Sequence, residues 1–128
     1  MTDNPESAFH AYVRAFETLD PEAALSFYHV PSMFIAPQGV LVAPDATTLR
    51  ALLAQFMGQL RAQSYRRTEV SGLDVRALSA GLASCAGVLV RFDASGQEMA
   101  RLGFTYILRN SGGSWKIVVA ALHEPLAA

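Results

Sequence analysis

Asn110-Ser111-Gly112-Gly113-Ser114-Trp115-Lys116-Ile117-Val118-Val119 reads as a tight turn running into a strand. Gly112-Gly113 between two apolar runs is the clearest turn signal in the chain, because short hairpin turns need backbone angles that glycine adopts without strain. The strand that it opens runs from Trp115 to Leu122 and reaches His123. Upstream of the turn, Gln97–Arg109 is the partner strand, Asp93-Ala94-Ser95-Gly96 is another hairpin turn, and Leu82–Phe92 is a further strand. Ser79-Ala80-Gly81 turns the chain again, and Tyr65–Leu78 begins the series, with Gly72 marking a bulge or bend. Long strands joined by short turns predict an antiparallel sheet.

The first half has a different period. Phe9, Tyr12, Val13 and Phe16 follow i, i+3, i+4, i+7 and predict a helix from about Pro5 to Leu19. Asp20-Pro21-Glu22 starts a second helix: a side-chain cap, then a proline whose missing N–H is not needed there. Pro31 disfavours helix just before it, so this helix is expected to be short and to end near Tyr28-His29. Ser32–Ala36 and Gly39–Val42 read as a small hairpin around Pro37-Gln38-Gly39. Asp45 caps a third helix, Ala46–Arg61, with Leu49, Leu52, Leu53, Phe56 and Leu60 on its buried stripe. No repeat or linker interrupts the order, so residues 1–128 are expected to form one α+β domain. Three N-terminal helices would cup against a strongly curved sheet and leave a pocket between the layers.

Composition narrows the classes. The chain is 52% apolar and only 16% charged, which predicts an apolar pocket, a buried oligomer face, or both. Ten basic residues oppose eleven acidic ones, and nothing resembles the basic face of a nucleic-acid binder. Cys85 is the one cysteine and reads as a small buried hydrophobe. No run approaches the roughly 20 apolar residues of a membrane span. The polar opening Met1-Thr2-Asp3-Asn4-Pro5-Glu6 is unlike a signal peptide, so the expected location is cytoplasmic. No His/Cys/Asp/Glu spacing suits a metal, and no motif calls for a cofactor.

The segments Phe9–Phe16 and Pro21–Tyr28, then Phe27-Tyr28 leading through Phe34-Ile35-Ala36-Pro37-Gln38-Gly39, then Gly112-Gly113-Ser114-Trp115-Lys116-Ile117 with His123, carry a resemblance. In this order they resemble the NTF2-like superfamily, particularly its SnoaL-like branch, over about Pro5 to Glu124. The resemblance implies a cystatin-like α+β cone with a pocket at its wide end and a homodimer formed through the outer sheet face. It also implies a range of activities, among them isomerases, cyclases, dehydratases and plain binding or assembly domains. Isomerase-like members place a carboxylate base just before the hairpin proline. The matching position here is Ala36, which has no proton to exchange.

The candidate residues follow. Tyr12, Phe16, Tyr28, Phe34, Phe56 and Tyr106 are expected to wall a pocket for a small apolar molecule. His29 and His123 are the candidate acid/base residues, because imidazole exchanges protons near neutral pH. His123 alternates with Trp115, Ile117, Val119 and Ala121 and is expected to share their face. Arg91 and Arg101 flank a hairpin turn and are expected to face water; an inward arginine would need an anionic partner. Three functions remain open: a small-molecule pocket protein, a SnoaL-like isomerase, cyclase or dehydratase using His29 or His123, and a ligand-free homodimeric assembly module.

Overall fold

The computed structural model describes residues 4–125, so the opening Met1–Asp3 of the polar N-terminus lies outside the described residues. Capping starts each helix. In α1 (Pro5–Glu17) the Asn4 side chain accepts from the Ser7 N–H at 2.8 Å. In α2 (Pro21–Leu25) Asp20 accepts from the Glu22 N–H at 3.0 Å. In α3 (Ala46–Ala62) Asp45 accepts from the Thr48 N–H at 2.7 Å. Each bond satisfies a donor that the first helical turn leaves free.

The strands are β1 (Tyr28–Ala36), β2 (Gly39–Ala43), β3 (Tyr65–Ser79), β4 (Leu82–Asp93), β5 (Glu98–Ser111) and β6 (Ser114–His123). They form one curved sheet in the order β2-β1-β6-β5-β4-β3. Every neighbouring pair is antiparallel except β1 and β6, which run parallel.

Two expectations need correction. Tyr28 and His29 do not end the second helix; they open β1. A helix of five residues gains little from its own hydrogen bonds. The sheet competes for the chain immediately after it: the Ile117 N–H donates to the Phe27 carbonyl at 2.8 Å, and Tyr28 pairs with Ile117. The second correction concerns β6. Ile107 pairs with Val119 and Leu108 with Ile117, so Val118 is left as an unpaired extra residue. This bulge reverses the alternation beyond it. Trp115 and Ile117 are buried, and the same inward face continues as Ala120 and Leu122. Val119, Ala121 and His123 therefore turn outward, away from Trp115 and Ile117.

Cross-strand rows define the two faces. Ala83–Leu108–Ile117, Cys85–Tyr106–Ala120, Gly87–Phe104–Leu122 and Leu89–Leu102 point inward. They meet Ala8, Phe9 and Tyr12 of α1 and Leu49, Leu53 and Met57 of α3 to form the core. Cys85 is fully buried there, and burial pushes its thiol up to about 11, which makes it inert at neutral pH. Glu69 and Asp74 lie on the outer face, ion-paired with Arg67 and Arg76.

Candidate functional site

At one end the helices do not fill the space under the sheet. A cavity of about 670 Å³ remains between α1, α3, the inner sheet face and the β1–β2 turn. Helix periodicity supplies one wall, since Phe9, Tyr12, Val13 and Phe16 occupy a single face of α1. Phe56, Gln59 and Leu60 of α3 supply another. The turn from Ile35 to Leu41 borders the opening, and Leu89, Leu102, Tyr106, Ala120 and Leu122 form the sheet side. The six aromatic residues singled out in the sequence (Tyr12, Phe16, Tyr28, Phe34, Phe56 and Tyr106) all line this cavity. Their rings interlock: Tyr12 meets Tyr28 edge to face at 5.4 Å, and Phe34 meets Phe56 at 5.3 Å.

Three phenols give the apolar wall its polar spot. The Tyr12 and Tyr28 hydroxyls are 2.5 Å apart and hydrogen-bonded, and the Tyr106 ring stands 6.0 Å from that of Tyr12. Burial pushes the phenols of Tyr12 and Tyr28 well above their usual range, and the negative charge on a neighbouring phenolate opposes ionisation further. Burial raises Tyr106 as well, while the Arg91 guanidinium pulls it partly back. All three are therefore neutral hydroxyls at physiological pH; one proton is spent in the Tyr12–Tyr28 bond, which leaves one hydroxyl of that pair and that of Tyr106 to donate to a carbonyl or oxyanion.

Arg91 is the residue that the sequence reading missed. It lies in the row Thr68–Arg91–Ala100, on the same face as Leu89, and it lines the cavity with Thr68 and Ala100. Arg101, on the adjacent outer row, faces water and pairs with Glu98 at 2.7 Å, as expected. The signal for Arg91 was its alternation with Leu89 and Cys85; the nearby turn obscured it.

The two histidines lie elsewhere. His29 donates from Nδ1 to the Pro31 carbonyl at 2.9 Å and accepts at Nε2 from Arg109 at 3.0 Å. His123 donates from Nδ1 to the Glu124 carbonyl at 2.8 Å, and its Nε2 accepts from the Thr105 hydroxyl at 3.1 Å. Its ring lies against Gly103, where an added Cβ would stand 2.6 Å away. Arg109 and Gly103 sit six positions apart on β5, so the two imidazoles are not brought together, and neither lines the cavity. Both ring nitrogens of each are already engaged. Among the described residues no His/Cys/Asp/Glu cluster could hold a metal ion. Among the described residues no helix is long and apolar enough to cross a membrane.

The model of a family described as NTF2-like protein (DUF6841) matches residues 3–125. Solved structures of similar shape include a candidate calcium/calmodulin-dependent protein kinase type II association domain from Thiobacillus denitrificans ATCC 25259. It has a TM-score of 0.77 and 14% identity, with 98% of each chain covered. An NTF2-like family protein from Streptomyces avermitilis, described as a candidate dehydratase, has a TM-score of 0.73 and 15% identity, over 94% of this chain and 92% of that one. An NTF2-like protein with a cystatin-like fold from Novosphingobium aromaticivorans has a TM-score of 0.74 and 14% identity, over 94% and 79%. At such identities the likeness is one of fold. No curated protein matches the chain.

Proposed function

The chain belongs to the NTF2-like family that this model describes, and from that membership we propose that it is a pocket protein for a small, largely apolar molecule. The observation that carries the reading is the open cavity of about 670 Å³ with three neutral hydroxyls set in aromatic walls. Small-molecule sites commonly have this size and this mixture of apolar lining and few polar groups. A cone plugged by its own side chains would have favoured a ligand-free assembly module instead. Native mass spectrometry of freshly purified protein tests the reading: a discrete added mass of a few hundred daltons supports it. A bare mass, together with failure to bind any apolar probe, sinks it.

One observation favours a second reading. The Tyr12–Tyr28 pair keeps one hydroxyl proton free to donate to an oxyanion from the cavity wall, which suits a SnoaL-like isomerase, cyclase or dehydratase. The Streptomyces neighbour's description points the same way. In this reading the tyrosines, rather than His29 or His123, act on the substrate, and the base is not supplied by a cavity carboxylate or imidazole. Turnover lost in Tyr28→Phe and retained in His29→Ala and His123→Ala would support it; the opposite pattern would restore the histidines.

The proposal includes a homodimer across the outer sheet face. The supporting feature is a half-exposed apolar centre of Ala86, Val88, Ile107, Val119 and Ala121. Beside it run the charged pairs Arg67–Glu69 and Arg101–Glu98. An apolar centre with a polar rim is how protein interfaces are commonly built.

A further inference from the structure

Among the described residues Arg91 has no ion-pair partner. Arg50, Arg67, Arg76 and Arg101 are ion-paired, and Arg61 and Arg109 donate to a carbonyl and to a histidine. Arg14 and Arg66 are exposed to water. Arg91 alone is half-buried, lines the cavity, and makes neither an ion pair nor a hydrogen bond among the described residues. Neither nearby acceptor, the Glu17 carboxylate nor the Thr68 hydroxyl, bonds to Arg91. The Glu17 carboxylate accepts from the Thr68 N–H at 2.8 Å, and the Thr68 hydroxyl bonds the Tyr65 hydroxyl at 2.5 Å. A guanidinium held partly out of water without an anion is costly, and a carboxylate matches its fork of donors.

We propose that Arg91 is the anchor for a ligand carboxylate, so that the cavity takes a hydrophobic carboxylic acid, its apolar body against the aromatic walls. This rests on the cavity being a ligand site. A single cation in an apolar chamber fits a monoanion; Lys116, the one lysine, is bonded to the Ser26 carbonyl and does not line the cavity. A polyphosphate would call for several cations. The aromatic lining from Tyr12, Phe16, Phe34 and Phe56 favours a flat aryl body.

The test compares 2-naphthylacetate with its neutral analogue 2-naphthaleneethanol by isothermal titration, at a pH where the acid is ionised. The acid is expected to bind at least tenfold more tightly. Arg91→Met is expected to abolish that difference by weakening the acid more than tenfold relative to the alcohol; Arg91→Gln is the second variant should the first disturb packing. Equal affinity of acid and alcohol for the unaltered protein overturns the anchor and leaves the pocket reading standing. Binding of neither probe by protein with unchanged circular dichroism overturns both.

Discussion

Every tyrosine in the chain has its phenol raised by burial: Tyr12, Tyr28, Tyr65 and Tyr106. The sign of the pH effect follows. Below the ordinary phenol value of 10.0, folded and unfolded chains are both protonated, so these groups add no slope. As the pH rises past it, the unfolded chain releases protons that the folded one keeps, and stability falls up to the raised folded values. Phenolate absorbance near 295 nm is therefore expected to stay absent through pH 10 and to appear together with unfolding. Reversible titration of one tyrosine near 10 in folded protein would contradict this. Tyr28→Phe removes the buried bond to Tyr12 and is expected to cost about 1–2 kcal/mol in urea unfolding. The inward direction of Tyr12 and Phe16 was legible from the helical period. Arg91 was not, because position beside a turn outweighed strand alternation. His123 was misplaced by a bulge that has no mark in Val118-Val119-Ala120, where every residue is small or β-branched and each suits either face.

Elements were legible wherever a cap or a glycine turn bounded them. Pro21–Leu25 was the exception, since its far end is decided by a strand about ninety residues later. The Val118 bulge gives a direct test at this scale. Deleting Val118 would set Val119 directly after Ile117, so that strict alternation keeps Ala120 and Leu122 inward and His123 outward without a bulge. A native-like cooperative melt with an intact cavity is expected; loss of cooperative melting would count against Val118 as the unpaired extra residue. A second test lies at Gly87, where an added Cβ would stand 2.9 Å from the Ser71 carbonyl and 3.1 Å from the Phe104 ring. This close approach lets the shifted register of β3 between Ser71 and Asp74 pack on β4. Gly87→Ala is expected to destabilise by about 1–3 kcal/mol, read from the shift of the urea midpoint.

For the whole molecule, the order of helices and strands was enough to expose the cone, because each amphipathic face must find a layer to cover it. Function was not exposed in the same way: 411 solved chains share this shape, so the fold by itself selects no chemistry. The dimer is the prediction that belongs to this scale. Sedimentation equilibrium at micromolar concentration is expected to give twice the 13.8 kDa chain mass. Ile107→Glu, on the outer face, is expected to give the single mass with unchanged circular dichroism; a monomeric parent protein would end the proposal. The parallel seam between β1 and β6 has a consequence in time. Tyr28–Ala36 is made well before its partner on one side, Ser114–His123. Until that partner is made, the apolar side chains of the first strand and the helices around it have no complete sheet to close over them. The nascent chain is thus most exposed to aggregation just before residues 114–123 are added, and a stop codon placed anywhere before residue 114 would yield a product that chaperones retain and proteases remove.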